Sequence, residues 1–293
     1  MYAIAGRVTM APVTTARSSA GDPARTLRLL WRDPAAAPRR GPQRALDLDA
    51  VVAAATGLAD AEGLDAVTMR RLAEHLGVGA MTLYTYVPGK AELLDLMLDT
   101  AYASMPRADA TGRPWRERLT AVADENRALF GAHPWAATVS TLRPPLGPGL
   151  MAKYEHELAA LDGIGLDDVK TDDCLTLVLT FVQASARDAV DARAARHQSA
   201  MDDEQWWAAN AGLLARLLDP GTYPLASRVG SAAGAAHGSA HDPEHAYRFG
   251  LERLLDGIAA LVEARGAPAE GGTPSVRDRS AGQEQEQHQR GDG

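Results

Sequence analysis

Between Thr68 and Lys90 the chain reads TMRRLAEHLGVGAMTLYTYVPGK, and these residue types at this spacing outline two short helices about a tight turn. Thr68 supplies an N-cap, since its hydroxyl accepts one of the amide protons left open at a helix start. Met69, Leu72, Ala73 and Leu76 then recur at three- and four-residue intervals, a single apolar stripe. Gly77 stops that helix, because glycine enters the left-handed conformation without a Cβ penalty. Val78 plugs the angle between the helices. A second apolar face takes in Met81, Leu83, Tyr84 and Val87, and Pro88 ends it. Small Ala73, then Gly77-Val78, then Leu83 is the spacing of a helix-turn-helix whose second helix is pinned on one side. Its open side carries Gly79, Ala80, Thr82, Thr85 and Tyr86, and the chemistry this suits is contact with base edges in a DNA major groove. An ordinary helical hairpin shares the apolar stripes, so the stripes alone leave both readings open.

The flanks are more specific. The run ADAEGLDAVTMRRLAEHLGVGAMTLYTYVPGKAELLDLML carries Ala61-Glu62-Gly63-Leu64, Thr68 to Ala73, Leu76-Gly77-Val78, Leu83-Tyr84, and Val87 with Lys90 to Leu94. In these residues it closely resembles the N-terminal domain of the TetR family of bacterial transcriptional repressors. The resemblance implies DNA reading by the second helix of the motif and backbone contact around it. Thr82 sits where the family commonly touches a base. Tyr84 matches a tyrosine near phosphate, or one packed within the head. Lys90, at a helix N-terminus, is placed to hold a phosphate with the free amides there. Thr68 and Arg70 on the first helix and Tyr86 after the second complete the expected DNA-facing set. At Ala80 and Met81 the chain departs from the tetracycline repressor, which has a longer amide side chain and a proline there. Its operator sequence therefore does not carry over.

Composition sets the frame around this motif. Abundant Ala and Leu, with 46% hydrophobic residues over 293, indicate an all-α globular protein. The one cysteine, Cys174, lies in the apolar run CLTLVLTFV, which suits a buried, inert thiol and a reducing cytoplasm. Neither a membrane span nor a secretion signal is legible. Net charge is −8, but residues 1–44 hold eight arginines against two aspartates, +6, which leaves −14 on the remainder. Positive charge thus precedes the DNA-reading motif, as a protein that docks one end on a polyanion requires. The motifs of nucleophilic, phosphate-binding or metal-dependent enzymes are missing, so neither catalysis nor a cofactor or metal is expected.

The elements that must position the motif follow the same periodicities. Residues 1–44 read as a disordered Arg/Pro-rich arm, with one helical turn from Thr26 to Trp31 packing on the fold. Its arginines suit either solvent or the DNA backbone. Residues 45–92 form a three-helix DNA-binding head, opened by Asp47 or Asp49 and a stripe of Val51, Val52, Ala55, Leu58 and Ala59. Residues 93–265 form a helical-bundle domain for ligand binding and dimerisation, and 266–293 a disordered tail. Within the body, Gly149–Leu161 carries a stripe of Leu150, Tyr154, Leu158 and Leu161, while SRVGSAAGAAHGSAH at 227–241 reads as a surface loop.

The body resembles, less tightly, the ligand-binding domain of the tetracycline repressor subgroup, through Leu129-Phe130 with His133, Arg143-Pro144, and Tyr154-Glu155 with Glu157-Leu158. A cavity with a few polar handles is expected there, from Tyr102, Asn126, His133, Tyr154, Thr180, Gln183 and Arg187. Ser140 stands where the tetracycline repressor uses a magnesium-binding histidine, which argues against that drug complex. The last helix, with Tyr247, Leu251, Leu254, Leu255 and Ile258 on one face, is expected to pair with the helix at 168–193 in a homodimer. The partners implied are an operator duplex, a small-molecule effector and a second copy. Two other readings remain open: an architectural DNA binder without an effector, and a helical enzyme with a buried site. Saturable binding of a small molecule would separate the first from a repressor, and turnover would indicate the second.

Overall fold

A computed structural model describes residues 16–33, 46–240 and 242–266. The expectations for the arm before Ala16, for residues 34–45 and for the tail after Gly266 lie outside the described residues. Within them the fold is all-α, with twelve α-helices. These are α1 (Pro23–Leu30), α2 (Leu48–Glu62), α3 (Met69–His75), α4 (Ala80–Tyr84), α5 (Lys90–Ser104), α6 (Trp115–Ala132), α7 (Pro134–Thr138), α8 (Pro148–Ala159), α9 (Asp168–Ser199), α10 (Asp203–Leu217), α11 (Pro224–His237) and α12 (Pro243–Gly266). No described helix is long and apolar enough to cross a membrane.

Local chemistry sets many of the helix ends. Asp47 caps α2 by accepting the Ala50 amide at 2.7 Å, and Asp167 caps α9 through the Lys170 amide at 2.9 Å. Asp202 and Gln205 close a capping box at the start of α10. The arm read as disordered is ordered from Ala16 to Asp33: α1 begins at Pro23, capped by Asp22, and buries Thr26 and Leu30. The stretch 227–241 is not a loop throughout, because α11 runs through it to His237. Its small residues carry no apolar stripe, but alanine has the strongest helix preference. The indole of Trp207 on α10 also lies against Gly234, so these two helices pack on each other.

Two apolar cores organise the described residues. The first joins α2, α3, Leu83 and Val87 to α5 and continues to Leu129, Trp135 and Val139, so the expected boundary at 92/93 falls inside one helix and one core. The second is built by α6, α9 and α12. Tyr247, Leu251, Leu255 and Ile258 are each 5% exposed or less in this second core. They contact their own chain and offer no surface to a partner, which corrects their assignment to a dimer interface; of that set, Leu254 alone is only half-buried. The physical reason is that α12 spends its apolar stripe on α6 and α9, with Tyr247 stacked on Phe181 at 5.8 Å between ring centroids.

Candidate functional site

The helix-turn-helix forms through its own local signals. Thr68 Oγ1 accepts the Arg71 amide at 3.2 Å. Gly77 adopts φ +66°, while its amide donates to Glu74 O at 3.2 Å and the Val78 amide donates to Ala73 O at 3.0 Å. This is a Schellman motif, in which the left-handed glycine lets two orphan carbonyls find donors. Leu72, Ala73, Leu83 and Val87 are buried beneath it. Met81 and Tyr84 are not part of the buried face: they are 76% and 43% exposed. With only five residues, α4 turns one side chain, Leu83, into the core, and Val87 follows after the helix has ended.

The outward edge therefore consists of Gly79, Ala80, Met81, Thr82, Tyr84 and Thr85, all exposed. Thr85 Oγ1 donates to Thr82 O at 2.7 Å, which ties the end of α4. Arg70 stands exposed on α3, 3.8 Å from Glu74. Arg71 instead pairs with Glu62 at 2.5 Å and holds α3 to α2. Thr68 is committed to capping. Tyr86, expected on the DNA face, is half-buried and its hydroxyl donates to Leu46 O at 2.8 Å, so it anchors the segment entering α2. Lys90 is exposed at the start of α5, with Nζ donating to Leu64 O at 3.2 Å.

The body holds a second constellation. Asn126 on α6, 2% exposed, donates from Nδ2 to Glu157 Oε1 at 2.6 Å. Lys153 Nζ lies 2.6 and 2.8 Å from the two oxygens of Glu157, and 5.5 Å from the centroid of the Tyr102 ring. Burial pushes the Lys153 ammonium below the ordinary lysine range, against the pull of Glu157. Burial also raises the Tyr102 phenol, with Glu157 and Asp99 adding to the effect, so it stays protonated. Beside this cluster a cavity of about 510 Å³ opens between the 107–112 loop, α6 and α8, with Arg107, Arg118, Glu125 and His156 in its wall. His156 Nε2 and Glu125 Oε2 pair there at 2.8 Å.

Of the expected ligand handles, the fold brings Tyr102 and Asn126 to this cluster. His133 Nδ1 pairs with Asp60 of the head at 2.8 Å, and Trp135 Nε1 donates to the same oxygen at 2.7 Å, so His133 belongs to the head–body junction. Tyr154 is exposed, its hydroxyl donating to Asp172 at 2.7 Å. Thr180 is exposed. Gln183 donates to Ala137 O and Val139 O at 3.3 and 3.0 Å, and Arg187 donates to Ala137 O, so both clamp the end of α7.

Sequence reasoning passes over Lys153 and Glu157 as site residues because the stripe Leu150, Tyr154, Leu158 predicts a different inner face for α8. The inner face is Gly149, Lys153, Glu157 and Ala160. Asp99 on α5 sets this rotation by accepting the Gly149 and Leu150 amides at 3.1 and 2.8 Å. A side chain at Gly149 would collide with the Asp99 backbone carbonyl, so only glycine allows so close an approach. The signal available in the sequence was the Lys-Glu pair at i, i+4, which is more often a solvated one.

A helix-turn-helix head joined by one long helix to an all-α body defines a class of DNA-binding regulator, and family models agree. Residues 51–97 match the model described as bacterial regulatory proteins, tetR family, and residues 108–262 that of the tetracyclin repressor-like C-terminal domain. The chain belongs to the TetR family of transcriptional regulators. It is 41% identical over 253 residues to the HTH-type transcriptional repressor DrrR1 of Streptomyces coeruleorubidus, which covers 86% of this chain and 91% of that one. Apo ActR of Streptomyces coelicolor superposes with a TM-score of 0.61 at 30% identity, covering 75% of this chain and 99% of that one. ActR in complex with actinorhodin gives 0.60 at 30% identity, covering 74% and 97%.

Proposed function

We propose that the chain is a homodimeric cytoplasmic repressor that reads a palindromic operator and is released by a small, largely apolar molecule. A head at 45–92 reads DNA, and a body at 93–265 binds the effector and dimerises. One observation carries this reading: α5 starts at the exposed Lys90, shortly after α4 in the chain, and carries Tyr102 into the buried Asn126–Lys153–Glu157 cluster. A ligand that rearranges the cluster must displace the helix that orients the head. A hundredfold loss of operator affinity requires about 2.7 kcal/mol of ligand preference for the non-binding arrangement, within the range of allosteric coupling. ActR, solved with actinorhodin bound, supports a small-molecule effector. Regulation rather than catalysis is what membership of the family supports.

The apolar side chains that a single copy leaves exposed support the dimer. They include Leu177 on α9, Phe249 on α12, and Trp206, Leu213, Leu214 and Leu217 on α10. Surface of this kind on one molecule marks an interface, and two heads on a two-fold axis require a palindromic site. Selection of bound fragments from random duplex DNA tests the reading. An enriched palindrome is the expected result, together with its loss when Leu177→Glu and Phe249→Glu split the dimer. No preference over random DNA at moderate salt would overturn it.

A further inference from the structure

The segment before the head lies outside both matched family models, which begin at residues 51 and 108. Yet it touches head, hinge helix and body at once. Toward the body, the Ser18 amide donates to Ser140 O at 3.1 Å and the Ser140 amide donates to Ala16 O at 2.9 Å. Ser18 Oγ donates to Arg143 O at 2.6 Å, and Trp31 Nε1 donates to Leu146 O at 2.8 Å. Toward the hinge, the Ser19 amide donates to Asp95 Oδ1 at 2.8 Å and the Asp22 amide to Glu92 Oε1 at 3.4 Å. Toward the head, Arg32 pairs with Asp49 on α2, and Leu30 is buried in the core that contains Val51 and Leu72.

Glu92, Asp95 and Asp99 form a buried acidic row along one side of α5. Two of the three meet this segment, and Asp95 Oδ2 has no hydrogen-bond partner among the described residues. The segment is also bracketed by two left-handed non-glycine residues, Ser19 and Arg32, both at φ +51°. Such residues persist only where their surroundings hold them.

We infer that residues 16–33 act as a clasp that fixes α5 against both head and body and so sets the affinity for operator DNA. The operator half of this inference rests on the repressor reading above. A hinge held in place before DNA arrives needs no ordering at binding, so release of the clasp weakens operator binding.

Ser19 allows changes of opposite sign without touching the core. Proline there cannot adopt φ +51° and lacks the N–H that Asp95 accepts, whereas glycine is at ease in that conformation and gives up only the exposed hydrogen bond from Ser19 Oγ to Pro144 O at 3.2 Å. Hydrogen exchange of the full-length chain over residues 92–104 is expected to speed up about tenfold in Ser19→Pro and to slow about threefold in Ser19→Gly. Affinity for a duplex fragment selected by the wild-type chain should fall at least about fivefold in Ser19→Pro. Exchange within twofold of wild type in both variants would overturn the clasp. Faster exchange with unchanged or tighter DNA binding would overturn its role in setting affinity. If the wild-type chain selects no fragment, the repressor reading and the operator half fail, while the exchange data still decide whether the segment holds α5.

Discussion

Replacing Glu157 by glutamine isolates the energetics of the buried cluster. Glu157 and Lys153 are 1% and 8% exposed at the side chain, and the carboxylate accepts from both Lys153 and Asn126. The substitution keeps shape and one amide–carbonyl contact but leaves the Lys153 ammonium buried without a counter-charge. Breaking such a pair costs about 3–5 kcal/mol, because the surviving charge still bears its desolvation penalty. Since that penalty already lowers the Lys153 pKa, loss of Glu157 lowers it further. The double variant Lys153→Met with Glu157→Leu removes both charges at similar volume and should fall within about 1–2 kcal/mol of wild type. Urea unfolding of wild type and these two variants measures this directly. If Glu157→Gln costs less than about 1 kcal/mol, or the double variant is as unstable as the single one, the desolvation argument is refuted.

Four further expectations follow from individual contacts. Asp95, 0% exposed, has its pKa raised by burial to about 6, with the Ser19 amide opposing and Glu92 adding to the shift. The folded state thus holds a proton that the unfolded state releases above the ordinary aspartate pKa. Stability from this group is full below about pH 4 and is lost as pH rises through 6, by about 3 kcal/mol; thermal unfolding across that window should show the slope in wild type and not in Asp95→Asn. Gly149→Ala forces α8 away from the Asp99 carbonyl and should cost about 1–3 kcal/mol in chemical unfolding. Asp60→Ala leaves the buried Trp135 indole N–H without its acceptor and should cost about 1–3 kcal/mol by the same assay. Lys90→Ala should weaken binding to all duplexes and reduce the salt slope by about one, while Thr82→Ala should mainly blur base preference in a binding selection.

The helix-turn-helix was legible because its determinants are local. A cap at Thr68, a left-handed stop at Gly77 and a four-residue apolar rhythm act within one or two turns, and the structure realises each of them. The exposed positions in and around α4 followed from the same rhythm, apart from Met81, Tyr84 and Tyr86. Met81 and Tyr84 stay outside because a five-residue helix turns only Leu83 into the core, and Tyr86 turns inward because its hydroxyl reaches a carbonyl forty residues upstream.

The body was less legible, since a helix's inner face depends on what it meets. Leu150 and Tyr154 made as plausible an inner stripe on α8 as Lys153 and Glu157; the Asp99 carboxylate and the contact at Gly149 chose between them. On α12 the apolar stripe was evident, but nothing in it told a partner's helix from α6 and α9 of the same chain. His133 and Gln183 read equally well as ligand handles until the fold placed an Asp60 carboxylate and the Ala137 and Val139 carbonyls against them. Local hydrogen bonding and periodicity are properties of a few consecutive residues, and these the chain alone determined. Which buried polar groups meet was decided only by tertiary packing, because every buried donor needs an acceptor and long-range contacts dictate which one is within reach.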